Sequence, residues 1–144
     1  MKNAINLIFL VAALFLAGCN TPKQEEFFGK WIPENNSPGI VGNMVIEKQP
    51  FFILRNDGTF VMKDMPNMLL YGFSSQSDIV SGEGKWVVGK YSRASVLFLE
   101  FEKVNNANVT SATQVQISGC EKKRNLYFWL GEEGGPRFEF KKEE

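Results

Sequence analysis

Residue types that carry catalytic or binding chemistry are scarce in this chain, which has no histidine and two cysteines, Cys19 and Cys120. Cys19 ends the tetrapeptide Leu16-Ala17-Gly18-Cys19, which closes an uncharged apolar run that starts at Leu7. A basic start, a short apolar centre and small residues at the cleavage point are typical of a secretory signal. The run is too short to cross a bilayer as a permanent helix. We therefore predict that residues 1–18 are a signal peptide.

The same tetrapeptide resembles the lipobox of bacterial lipoproteins. The resemblance implies cleavage before Cys19, transfer of a diacylglyceryl group to its nucleophilic thiol and acylation of the new amino group. Ala17 and Gly18 leave room for the modifying enzymes, and two or three acyl chains make the anchor effectively permanent. Residues 19–26 are then the lipidated cysteine and a tether in the cell envelope. Asn20, in place of an aspartate, favours the outer membrane, facing the periplasm or the surface, if the host is Gram-negative.

Without histidine, the chain cannot build Ser-His-Asp or Cys-His catalysis or a histidine metal site. Adjacent glutamates such as Glu132 and Glu133 point to opposite faces of a strand, so they do not form an acid/base pair. We expect a protein that is not an enzyme and needs no cofactor or metal. The 16 basic and 16 acidic residues balance, which argues against a nucleic-acid partner. With Cys19 acylated, Cys120 has no internal disulfide partner, and we interpret it as a small, partly buried filler.

The rest of the chain is predicted to be β structure throughout, because brief apolar segments alternate with turn residues. After the signal peptide, no long segment repeats apolar residues every 3.6 positions, as an amphipathic helix would. Asn56-Asp57-Gly58 lies between two apolar runs and predicts a hairpin. We predict that residues 27–144 form one all-β domain of seven to eight strands, a small antiparallel barrel or flattened sandwich. Residues 104–112 are polar and are predicted to be a loop at its rim.

Two Gly-Lys-Trp motifs, Gly29-Lys30-Trp31 and Gly84-Lys85-Trp86, stand in the domain, and Arg137 lies in its last predicted strand. The first motif resembles the opening motif of the lipocalin and calycin barrels. The resemblance implies that Gly29 allows a tight entry to the first strand and that Trp31 plugs the closed end. It also implies that a basic residue from near the chain's end packs across this tryptophan, and Arg137 is the candidate.

The segment Leu126-Tyr127-Phe128-Trp129-Leu130 would place apolar or aromatic side chains on both faces of a strand. Two hypotheses about binding are consistent with this pattern. In the first, a lipid-anchored barrel holds a small apolar ligand or a lipid in a cavity with Trp31 at its floor. In the alternative, the core is solid and the protein is an interaction, inhibitor or immunity-type protein of the envelope. Its contact surface would then be an exposed patch around Tyr127 and Trp129.

Overall fold

The computed structural model describes residues 20–34, 40–41, 44–70 and 78–144. The signal peptide and the predicted lipobox residues Leu16, Ala17, Gly18 and Cys19 lie outside the described residues. Ten strands and three short 3-10 turns are present, and the described ranges contain no α-helix. The strands are β1 (Gly29–Pro33), β2 (Ile40–Val41), β3 (Met44–Val45), β4 (Phe51–Leu54), β5 (Thr59–Pro66), β6 (Ile79–Tyr91), β7 (Ala94–Val104), β8 (Ala107–Ser118), β9 (Asn125–Trp129) and β10 (Arg137–Lys142).

Eight of these strands close into one barrel in the order β1-β10-β9-β8-β7-β6-β5-β4, and every neighbouring pair is antiparallel. β2 and β3 form a separate two-stranded sheet. The predicted all-β antiparallel class is therefore confirmed, and of its two predicted forms, a barrel or a flattened sandwich, the structure has the barrel. Closure satisfies the backbone groups of β1, which pairs with β4 on one side and with β10 on the other.

The hairpin that joins β4 to β5 turns at the predicted Asn56-Asp57-Gly58. Gly58 adopts a φ of 80°, a conformation that glycine reaches without steric cost. The Asp57 carboxylate accepts hydrogen bonds from the Thr59 backbone N–H at 2.9 Å and from the Thr59 hydroxyl at 2.6 Å. These bonds lower the pKa of Asp57, the hydroxyl of Thr59 contributing most.

The prediction of a polar loop over residues 104–112 is wrong. β7 runs to Val104 and β8 starts at Ala107, so the connection is the two-residue turn Asn105-Asn106. Both asparagines have positive φ, 46° and 68°, which is the backbone of a type I′ hairpin turn. Asn108 and Thr110 are exposed on the paired strand β8, whereas Val109 between them packs against the core. The polar residues concealed the strand.

The barrel interior holds the hydrophobic core, in which large side chains from all eight strands are packed. Ring contacts run without a break from Phe27 through Trp31, Phe52 and Phe140 to Phe128, with centroid separations between 5.0 and 6.4 Å. Such tilted and stacked pairs add to the stabilisation that comes from burying their apolar area. The described interior is therefore occupied by side chains.

Antiparallel register places the connections at two ends of the barrel. We call the first the tether end, because residues 20–28 lie there together with the turns at residues 55–58 and 92–93, the connection 119–124 and the chain's last residues. The opposite end carries residues 67–70, the turn Asn105-Asn106 and the loop 131–136. Within the described residues, no helix is long and apolar enough to cross a membrane.

Candidate functional site

The Gly29-Lys30-Trp31 motif opens β1 at the tether end. Gly29 has a φ of 125°, and Trp31 is 1 % exposed. The indole of Trp31 stacks on Phe27 and Phe52, and its Nε1–H donates to the Phe27 carbonyl at 2.9 Å. Because the indole is packed and its polar atom is bonded, the described contacts give Trp31 a structural role.

Arg137 does not pack across Trp31, and that prediction is wrong. The residue opposite Trp31 on β10 is Lys142, whereas Arg137 begins the same strand at the opposite end of the barrel. Five residues of extended strand separate the two positions by about 17 Å. The Arg137 guanidinium instead lies over the rings of Tyr127 and Trp129, at 4.3 Å and 4.8 Å from their centroids.

We call Tyr127, Trp129 and Arg137 the Arg137 cluster. Its two rings meet edge to face at 5.1 Å on the outer face of β9, and Arg137 covers them from β10. Tyr127 is 8 % exposed, so the expectation that both rings form an exposed patch is wrong for this residue. Trp129 is half-buried and Arg137 is exposed. Within the described ranges Arg137 makes no ion pair and donates none of the side-chain hydrogen bonds, and a guanidinium has five N–H donors.

The second motif, Gly84-Lys85-Trp86, serves packing. Gly84 is buried against β7, and a Cβ at this position would overlap the carbonyl oxygen of Glu100. Trp86 is 3 % exposed, and its Nε1–H donates to the Arg55 carbonyl at 3.0 Å. The close approach of two strands therefore requires glycine, and the tryptophan ties β6 to the hairpin turn beside it.

A polar site that the sequence did not reveal surrounds Arg124 at the tether end. The run Lys122-Lys123-Arg124 is typical of a solvated turn, yet the side chain of Arg124 is only 5 % exposed. Its Nε donates to the Glu26 carboxylate at 2.5 Å, Nη2 to the Asn20 carbonyl at 2.7 Å and Nη1 to the Gly119 carbonyl at 3.3 Å. We call this arrangement the Arg124 latch.

The latch joins two distant parts of the chain. The Glu26 carboxylate also accepts a hydrogen bond from the Lys23 N–H at 2.9 Å, which closes the 3-10 turn that precedes β1. Partial burial raises the pKa of Glu26, but the Lys23 hydrogen bond and the Arg124 guanidinium outweigh it and hold that pKa below its usual value. Arg124 can be buried at the barrel end because its charge is paired and its N–H groups are hydrogen-bonded.

Cys120 is exposed and disulfide-bonded, so the interpretation as a partly buried filler without a partner is wrong. The chain's other cysteine, Cys19, lies outside the described residues. On the described side of this region, the Asn20 amide donates to the Glu121 carboxylate at 2.8 Å. The residues that follow the two cysteines are therefore in direct contact.

A groove of about 350 Å³ lies on the outer face of β5, β6 and β7, and Lys63, Glu83, Lys103 and Asn106 are among its lining residues. Glu83 and Lys103 form an exposed ion pair at 3.1 Å. The part of the chain that the structure describes contains no group of three or more Cys, Asp or Glu side chains that could hold a metal. Comparison with protein-family models, with curated proteins and with solved structures finds no match to this chain.

Proposed function

We propose that this protein is a lipid-anchored lipoprotein of the bacterial cell envelope with a noncatalytic binding role. The residues that support the anchor are Leu16-Ala17-Gly18-Cys19, which resemble a lipobox. Support for a lipocalin-like domain comes from the closed antiparallel barrel and from Gly29 and Trp31 at its tether end.

Between the two binding hypotheses, the packing favours contact with another envelope protein. A small apolar ligand inside the barrel would have to displace packed rings, among them Trp31, Phe52 and Phe140. Displacing a stacked core aromatic ring costs several kcal/mol, comparable to truncating it at about 3–5 kcal/mol. Binding on the outer wall of the barrel carries no such cost.

The observation that carries the proposal is the Arg137 cluster. Tryptophan, tyrosine and arginine dominate the binding energy of protein interfaces, and here all three are held together on rigid strands. The guanidinium is oriented by the two rings, and among the described residues its N–H donors have no acceptor. It suits a partner that presents a carboxylate beside an apolar surface.

Photo-crosslinking in the native host tests this interface. A crosslinking amino acid at position 137 should yield one reproducible adduct, whereas the same group at Lys85, an exposed position on β6, should not. For the identified partner, Arg137→Lys should lower the affinity nearly as much as Arg137→Ala, because lysine lacks the planar fork. Equal affinity of all three proteins would refute the interface.

Mass spectrometry of the protein purified from membranes tests the anchor. One sulfur atom cannot carry both a thioether and a disulfide, and Cys19 is the chain's other cysteine, so acylation of Cys19 and an intramolecular disulfide of Cys120 exclude each other. The lipoprotein proposal therefore conflicts with the disulfide observed at Cys120, and the two outcomes differ in mass. Acyl groups on a chain that begins at Cys19 would support the lipoprotein proposal. An unacylated chain with a Cys19–Cys120 linkage would overturn it. Under native conditions, a noncovalent mass excess besides the acyl groups would instead favour a small ligand.

A further inference from the structure

We propose that the unpaired edge of β6, over residues 87–91, binds an extended, acidic segment of a partner protein by adding it to the sheet as a further strand. This edge lies at the tether end, whereas the Arg137 cluster lies at the opposite end of the barrel. It is therefore a second surface, which involves neither Arg137 nor the two cysteines.

β6 is longer than the part of it that pairs with β5. It runs from Ile79 to Tyr91, and its pairing with β5 ends at Lys85, opposite Thr59. On its other side, β7 pairs with it as far as Tyr91. Within the described ranges, no strand therefore lies against residues 87–91 on the side away from β7. We call this stretch the β6 edge, and its five residues span about 17 Å.

One observed hydrogen bond shows which backbone groups point outward from the β6 edge. The Trp86 N–H donates to the Gly58 carbonyl at 2.8 Å, on the side away from β7. Residues two apart in an antiparallel strand direct their backbone groups to the same side, and β6 has no register shift against β7 after Gly84. Val88 and Lys90 therefore direct their N–H and C=O groups outward. Such unpaired groups are a template for a further strand.

The outer face of the β6 edge is apolar. Val87 is 47 % exposed and Tyr91 is 58 % exposed, and they are two of the three exposed large hydrophobic side chains among the described residues. Gly89 lies between them on the same face, because successive side chains alternate between faces. The Phe98 ring of β7 covers Gly89, at 2.7 Å from where a Cβ would stand. Side chains of an added strand would therefore rest against an apolar strip while its backbone pairs with the edge.

The charge around the β6 edge favours an acidic occupant. Residues 85–94 contain Lys85, Lys90 and Arg93 and no acidic residue. Lys90 and Arg93 are exposed and form no ion pair with a described side chain. A carboxylate opposite Lys90 on the added strand would make a favourable cross-strand pair. A second copy of the chain would instead bring two Lys90 side chains onto one short ladder, where like charges repel.

Amide hydrogen exchange, measured by NMR on the protein purified from its host, tests whether the β6 edge is free. The Val88 and Lys90 amides should exchange fast, whereas the Val87 and Gly89 amides, which face β7, should be protected. Slow exchange at Val88 and Lys90 at every protein concentration would show that the edge is already covered, which overturns the proposal. Slow exchange that appears only as the concentration rises would identify a second copy as the occupant and overturn the acidic partner.

A short peptide of alternating valine and glutamate, capped at both ends, is the binding probe. We expect it to slow exchange at Val88 and Lys90 and to bind about tenfold more tightly than the same peptide with lysine in place of glutamate. Salt should weaken its binding. Methylating the peptide's alternate backbone nitrogens should abolish the protection, because it removes the donors of the ladder. The proposal is overturned if the acidic peptide protects neither amide at millimolar concentration, or if the acidic and basic peptides bind equally.

Substitutions at Lys90 separate the charge from the backbone pairing. Lys90→Glu should weaken binding of the acidic peptide about tenfold, whereas Lys63→Glu, at an exposed position of β5, is the control and should not. Lys90→Ala removes the charge alone. Lys90→Pro also removes an N–H that β7 does not use, so it should bind more weakly than Lys90→Ala. Equal binding by these two variants, each shown by urea unfolding to be folded, would overturn strand addition.

Discussion

Replacing Glu26 by glutamine is the sharpest perturbation of the Arg124 latch. The amide keeps the size of the carboxylate and can still accept a hydrogen bond, but it removes the negative charge that faces Arg124. The side chain of Arg124 is 5 % exposed and that of Glu26 is 26 % exposed, so water screens the pair only in part. The substitution therefore leaves a buried cation without its counterion.

The size of the effect follows from the contacts. A charge-assisted hydrogen bond contributes about 1.5–3 kcal/mol and a neutral one about 1 kcal/mol. Removing one partner of a fully buried ion pair costs about 3–5 kcal/mol. Arg124 keeps two carbonyl acceptors, on Asn20 and Gly119, which reduces that cost. We expect Glu26→Gln to lower the free energy of unfolding by about 2 kcal/mol, between these limits.

Urea unfolding at pH 7 measures this difference. With a slope of about 2 kcal/mol per molar urea, the midpoint should fall by about 1 M. The double variant Glu26→Gln/Arg124→Met removes both charges and should recover most of the loss, because an apolar pair of similar volume replaces a buried ion pair at little cost.

The loss of stability caused by Glu26→Gln should be smaller at low pH. The folded pKa of Glu26 lies below its ordinary value of 4.5, so the carboxylate stabilises the fold above pH 4.5. That contribution declines as the pH falls below 4.5 and through the folded pKa. The difference between the native protein and Glu26→Gln should therefore narrow in acid.

Glu25→Gln is the control, since Glu25 is exposed and makes no hydrogen bond or ion pair with another described side chain. It should leave the midpoint unchanged at every pH. The reasoning fails if Glu26→Gln unfolds at the same urea concentration as the native protein at pH 7. It also fails if the difference between them does not shrink in acid.

The remaining predictions concern the core, the strand contacts and the β4–β5 turn. Trp31→Ala should cost about 3–5 kcal/mol in urea unfolding, because the indole is stacked on two rings. Gly84→Ala should cost more than Gly131→Ala in the same assay: the first added Cβ overlaps the β7 backbone, whereas the second meets no atom within 4 Å and strains only a positive φ. Thr59→Val should raise the pKa of Asp57 toward 3.8 in an NMR titration, because it removes the hydroxyl hydrogen bond; an unchanged pKa would contradict the geometry.

Local patterns predicted the parts of the fold that depend on local physics. The Asp57-Gly58 turn needs a residue that tolerates positive φ and a carboxylate that accepts a hydrogen bond from the Thr59 N–H. Both residue types can be read from the sequence. Apolar alternation predicted the strands of a small barrel. The turn at Asn105-Asn106 was not predicted, because polar residues follow it. A strand with one face in solvent can carry polar residues at many positions.

Local sequence patterns predicted less of the candidate site than of the fold. Residue type alone pointed to Tyr127 and Trp129, but only the pairing of β9 with β10 brings Arg137 over their rings. Arg124 looked like one of three solvated basic residues. Its burial depends on Glu26, which is 98 residues away in the chain.

By itself, the sequence determined the all-β class, the hairpin at Asp57-Gly58 and the lack of histidine chemistry, because these follow from residue type and short-range spacing. Tertiary structure alone decided that the strands close into a barrel, that Arg137 covers Tyr127 and Trp129, and that Arg124 binds Asn20 and Glu26. Closure and burial arise from contacts between residues far apart in the chain. Register, rather than local preference, determines which of those residues meet.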